Sequence, residues 1–204
     1  MRRVLLLICA CLCLAAAPAQ DRGERRLPFS TQDAERFDTK WTALTSRKPP
    51  VPARRRDAIR TVVTEPEVNA YLRYRARASL PVGIEDPYVF ARGGGRLTCT
   101  ATVDLDAVRL SRPRDWLDPA NLLRGRMPVA ATGVLHSSDG VFRLELESAT
   151  AAGFDIPKSL LQELISYYSR TASNPRGFEL DAPFELPAGI RTILIQARQA
   201  IIIQ

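Results

Sequence analysis

The chain has 204 residues, with 29 Lys/Arg against 22 Asp/Glu, a formal net charge of +7, four Cys and a single His. That length supplies one domain with a sizeable core, and so few His and Cys leave almost nothing for a zinc site or a Ser-His-Asp arrangement. The positive excess is local, since residues 20–60 hold 11 Lys/Arg against 6 Asp/Glu while residues 61–204 hold 16 of each; a nucleic-acid binder would be expected to carry its basic patch on the folded domain.

Arg2-Arg3, the apolar run from Val4 to Ala17 and the small-x-small ending Ala17-Pro18-Ala19 predict a secretory signal peptide over residues 1–19, cleaved after Ala19. The run is shorter than the roughly 20 residues that cross a bilayer as a helix. Lipidation at Cys9 or Cys11 is disfavoured by the short apolar run before them, so a periplasmic or secreted location is expected. Cys9, Cys11 and Cys13 then leave with the leader, and Cys99 alone remains, which rules out an intramolecular disulfide. On the strand face it shares with Leu97, Ala101 and Val103, Cys99 reads as a small core residue.

Residues 20–56 read as a basic, Pro-rich arm and linker. Ser30-Thr31-Gln32-Asp33 is a helix start, and Phe37, Trp41 and Leu44 form a short apolar stripe. The stretch from Arg47 to Arg56 carries three prolines among basic residues and predicts an extended, solvated spacer. Arg54, Arg55 and Arg56 could be drawn to an anionic membrane surface, at about 1 kcal/mol per basic residue. Because this arm has little apolar periodicity, a chain beginning at Arg56 is expected to fold with nearly full stability.

The domain is expected over 57–204. Ile59 to Val63 is a short strand, and Thr64-Glu65-Pro66-Glu67 is an N-cap with Glu three residues on and Pro in the first turn. The helix it opens runs to about Ser79, with Val68, Tyr71 and Leu72 on its buried face. From Tyr88 the period becomes two: a strand through Ala91, a turn at Gly93-Gly94-Gly95, then a strand over 97–105 with Leu97, Cys99, Ala101 and Val103 inward and Thr98, Thr100, Thr102 and Asp104 outward. The Gly triplet lacks the lysine and following helix of a phosphate loop. Asp104 and Asp106 suit a solvated strand face better than a calcium pair. A second hairpin, 129–135 with 141–147, turns through Asp139-Gly140.

His136 beside Ser137-Ser138 lies on a strand end with no oxyanion site in view, and Glu145 and Glu147 share a solvent strand face with Arg143, which suits ion pairing better than acid/base work. No catalytic residue, metal or cofactor is expected. A helix from Ile156, with apolar positions at 156, 160, 161, 164, 165 and 168, leads to a terminal apolar hairpin ending in Ile201-Ile202-Ile203.

Thr64-Glu65-x-Glu67-x-Asn69-x-Tyr71-Leu72 resembles the helix opening of small secreted bacterial proteins with a tubular lipid-binding (TULIP)-like fold. Asp86-Pro87, Thr132-Gly133, Asp139-Gly140, Ile156-Pro157-x-x-Leu160-Leu161 and Leu186-Pro187-x-Gly189-Ile190 extend the similarity over residues 57–204. The resemblance implies an α+β fold in which a strongly curved antiparallel sheet wraps a long amphipathic helix, with a second, N-terminal helix. It also implies a groove for lipid acyl chains. The expected lining is Phe90, Leu97, Val103, Leu144, Leu146, Ile156, Leu160, Leu164, Ile193, Ile195, Ile201 and Ile203. The function expected on this basis is periplasmic or envelope lipid binding or shuttling. If the same residues fill one another as a closed core, the alternative is a ligand-free structural or interaction subunit of an envelope assembly.

Overall fold

A computed structural model describes residues 25–46, 58–110, 124–168, 170 and 174–204, apart from the side chains of residues 109, 110, 164, 167 and 168. The expected signal peptide, the Pro-rich stretch and Arg54, Arg55 and Arg56 lie outside the described residues. Among those described the fold is α+β. Four α-helices are present: α1 (Thr31–Ser46), α2 (Glu65–Tyr74), α3 (Leu105–Leu110) and α4 (Lys158–Tyr168). The strands are β1 (Arg60–Thr64), β2 (Ile84–Gly93), β3 (Arg96–Asp104), β4 (Arg126–Ser138), β5 (Val141–Ala151), β6 (Phe154–Asp155), β7 (Phe184–Glu185), β8 (Thr192–Gln196) and β9 (Gln199–Ile203).

All pairings are antiparallel, and they form two sheets. The larger has the order β2-β3-β4-β5-β6, with β7 also on β5; the smaller has the order β1-β9-β8. The terminal hairpin therefore pairs with β1 as a sheet of its own. The two sheets meet where Arg198 N–H donates to the Ala91 carbonyl (2.8 Å) and Gly95 N–H to the Ile195 carbonyl (3.2 Å). At that junction Gly93, Gly94 and Gly95 all have positive φ (89°, 61° and 82°), a conformation that only glycine adopts freely. A Cβ on Gly95 would also stand 3.1 Å from the Leu135 carbonyl oxygen.

One face of the larger sheet is dry. Cys99 lies opposite Val89 and Ala131, and Ala101 opposite Val129, so the alternation of β3 carries across its neighbours. In β5 the pairing steps from Gly133–Leu146 to Thr132–Ser148. Glu147 is the extra residue, and this bulge brings an odd position, Ala149 opposite Ala131, to the face that even-numbered Leu144 opposite Leu135 occupies before it. Strand β3 ends at Asp104, one residue before the expected limit, because Asp104 Oδ1 accepts from Ala107 N–H (2.9 Å) and starts α3. Asp106 is thus a helix residue, not a strand-face partner of Asp104, and its Oδ2 accepts from Gly125 N–H.

Helix α1 opens as expected, with Ser30 N–H bonded to Asp33 Oδ2 at 2.8 Å; hydrogen bonds from Ser30 hold the Asp33 carboxyl below its usual range. Its stripe is not a solvated arm. Ala34, Phe37, Trp41 and Leu44 are all buried, and the last three join one cluster with Val63, Tyr71, Leu72, Val89 and Ile202. The Phe37 ring lies 4.5 Å from that of Tyr71 and stacks on Trp41.

Helix α4 packs on β4 and β5 through Leu161 and Ile165, which join Ala131, Ala149 and Leu180 in a second cluster. Leu160, expected on that face, is 47% exposed. Residues 161 and 165 stack one turn apart, whereas 160 lies about 100° away around the helix. Gln162 fixes the rotation, its amide bonding the Phe178 carbonyl (3.0 Å) and the Leu180 N–H (2.8 Å). Leu161→Ala should cost about 2–4 kcal/mol and Leu160→Ala less than about 0.5. Equal urea midpoints for the two variants would refute this rotation.

Candidate functional site

Between the two sheets, α1 and α2 lies a cavity of about 160 Å³. Its walls are Phe37, Trp41 and Leu44 from α1; Val68, Tyr71 and Leu72 from α2; Val63, Val89, Ala91, Leu97, Cys99, Leu135 and Phe142 from β1 to β5; Leu186, Pro187 and Ile190; and Ile193, Ile195, Ala200 and Ile202 from the terminal hairpin. Two polar residues, Glu65 and Gln199, complete the lining. The space is about the size of an engineered apolar cavity that stays dry and takes up benzene.

The residues expected to line an apolar site are divided by the register. Leu97, Ile193 and Ile195 reach the cavity. Phe90 is buried but faces the other way: it pairs with Thr98, while Val89, its neighbour, pairs with Cys99. On that far side it lies against Tyr88, with the Arg92 guanidinium 5.1 Å above its ring. Val103 and Leu144 belong to the main cluster without lining the cavity, Leu146 packs on the α4 cluster, and Ile156 touches both. Leu160 is at the surface, and the Leu164 side chain lies outside the described residues. Ile201 and Ile203 face outward, because Ile201 sits opposite Val62 and Leu194 while Ile202 sits opposite Thr61 and Ile193. The inward residues of β9 are therefore Ala200 and Ile202.

Beside the cavity is a buried polar network, and it explains most of the Thr-Glu-x-Glu-x-Asn motif. Thr64 and Glu67 form the capping box of α2. Glu67 also receives Lys40 Nζ from α1 (2.7 and 2.8 Å), and the same ammonium donates to the Val62 carbonyl. Glu65, its side chain 1% exposed, accepts from the Tyr88 hydroxyl (3.0 Å), the Ala91 N–H (3.0 Å) and Arg198 Nη1 (2.7 Å). Asn69 donates to the Val89 carbonyl and accepts from the Val89 N–H, so it bridges α2 to β2 as a paired strand would. Burial, above all, pushes the Tyr88 phenol up to about 12. At neutral pH it therefore stays protonated, donating to Glu65 while accepting from the Leu27 N–H (2.8 Å).

The Glu65 carboxylate is thus already supplied with donors and is not an anchor for an incoming polar group. Gln204 ties the far end, its Nε2 donating to the carbonyls of Leu44 (2.9 Å) and Ala188 (2.8 Å). His136 and Glu145 form an exposed cross-strand pair at 2.9 Å, and Ser137 Oγ accepts from the Ile193 N–H at the edge of the smaller sheet. Edge protection of this kind, repeated by Lys40 on Val62, blunts strand-to-strand association. Among the described residues no group of three His, Cys, Asp or Glu side chains could hold a metal ion. The chain matches no family model, no curated protein and no solved structure.

Proposed function

We propose that this chain is a non-enzymatic binder of apolar ligands, lipid acyl groups foremost, acting in the periplasm or at the cell envelope. The observation that carries the reading is the cavity: about 160 Å³ of space walled by apolar side chains, with its one carboxylate satisfied by the protein. Such a space has no polar chemistry to offer a substrate, yet transfer of each methylene into it is worth about 0.8 kcal/mol. The Leu186-Pro187-x-Gly189-Ile190 segment and the α2 opening, both part of the resemblance to tubular lipid-binding proteins, contribute to its wall. A strongly curved roll around the 158–168 helix, and export through residues 1–19, belong to the same proposal.

Filling the space tests it. Ala200→Leu puts three more carbons into the cavity, and at about 24 cal/mol per Å³ of void removed it should raise stability by about 1–2 kcal/mol. The same variant should lose uptake of benzene or hexane that the parent displays by calorimetry. A destabilised Ala200→Leu protein, with no uptake by the parent, would remove the reading. It would leave the second one ahead, a structural or interaction subunit of an envelope assembly, which is supported by the outer face of the smaller sheet, where Val62 and Leu194 flank Ile201 and are both more than 40% exposed.

A further inference from the structure

The cavity is matched to a benzene-sized group, whereas sites that enclose larger ligands run to about 300–1,000 Å³. A lipid chain therefore needs a wall that yields. The walls differ in how they are held. The strands are tied by their ladders, and α2 is locked to β2 by the two Asn69 hydrogen bonds to Val89. The 186–190 segment is tied through the Leu186 N–H to the Gly140 carbonyl.

Helix α1 differs from all of these. Among the described residues no backbone-to-backbone hydrogen bond joins 25–46 to the rest of the chain. The helix itself is tied by side-chain contacts at the rim: Lys40 to Glu67 and the Val62 carbonyl, Gln204 to the Leu44 carbonyl, and Arg75 to Glu35 and Asp38 at 3.8 and 3.5 Å. The segment before it is anchored on β2 and β3 by the Leu27 N–H on the Tyr88 hydroxyl and by Arg26 on Asp86 and Thr100, so that α1 is hinged at its N-terminal end. Its contribution to the site is three large apolar side chains, Phe37, Trp41 and Leu44.

Building on the apolar-ligand reading, we propose that α1 is the movable wall of the site and that a lipid acyl chain enters by displacing Phe37, Trp41 and Leu44. Each vacated side chain frees space comparable to a benzene, which would take the volume to roughly 500–600 Å³, within the range of ligand sites. The helix can leave without breaking a strand ladder, and the acyl chain replaces the apolar contacts that its departure removes. Small apolar molecules use the existing space and leave α1 in place.

Hydrogen exchange on the unmodified protein reads this directly, with benzene and dodecanoate as the two probes and calorimetry reporting whether each binds. Dodecanoate is expected to speed exchange of the amides in 31–46 at least tenfold while the β3 and β4 amides stay protected; benzene is expected to change neither. A second readout is Trp41 emission in a Trp116→Phe protein, which leaves Trp41 the single tryptophan. It should move to longer wavelength with dodecanoate only. Dodecanoate bound with α1 exchange unchanged or slowed overturns the movable wall but spares the apolar-ligand reading. Benzene bound without dodecanoate does the same, and binding of neither overturns both.

Discussion

Glu65→Ala is expected to lower the unfolding free energy by about 3–5 kcal/mol, more than a typical core truncation of similar size. The carboxylate takes three hydrogen bonds in a position with almost no solvent access. Its removal strands the Tyr88 hydroxyl and the Ala91 N–H, each at about 1–3 kcal/mol. Arg198, with its side chain 38% exposed, can turn to water, so its share is smaller. Arg198→Gly separates the two contributions. Arg198 has a left-handed φ of 64°, and glycine relieves that strain while deleting the ion pair, so the loss there should stay below about 2 kcal/mol. Chemical denaturation of the two variants against the parent is the measurement. Comparable small losses for both would mean that Glu65 is not the keystone between α2, β2 and the β8–β9 turn.

The sequence makes the local elements visible because their signals are local. Thr64 with Glu67, Ser30 with Asp33, the Gly93–Gly95 turn and Asp139-Gly140 each act over a few residues, and each lies where it was expected. Which side of a strand faces in is harder. Strand β3 alternates Thr with apolar residues, so its inward set is legible. Tyr88-Val89-Phe90-Ala91 and Ile201-Ile202-Ile203 are apolar at every position, so they contain no period, and their facing is set by the partners across the ladder. That is why Phe90, Ile201 and Ile203 were expected on the wrong side. The Glu147 bulge is similarly silent in sequence. Glu65 and Asn69 were missed for another reason: polar residues on a helix read as solvated, and only their position next to a capping box hints at burial.

Helix α1 gives the second large effect: Trp41→Ala should cost about 3–5 kcal/mol, and a chain beginning at Arg56 should lose its cooperative melting transition. The stripe of Phe37, Trp41 and Leu44 was legible, but the basic, Pro-rich stretch after it suggested an arm standing clear of the domain. An aromatic stripe at helical spacing requires cover, and here the cover is Tyr71, Val63 and Ile202. Truncation removes more than those contacts. It leaves Glu67, its side chain 5% exposed, without Lys40, and it opens the cavity to water along one side. Thr42→Ala, on the exposed face of the same helix, should change stability by less than about 0.5 kcal/mol. Thermal unfolding followed by circular dichroism distinguishes these expectations. A truncated chain that melts sharply, near the parent temperature, would return α1 to the status of a dispensable arm.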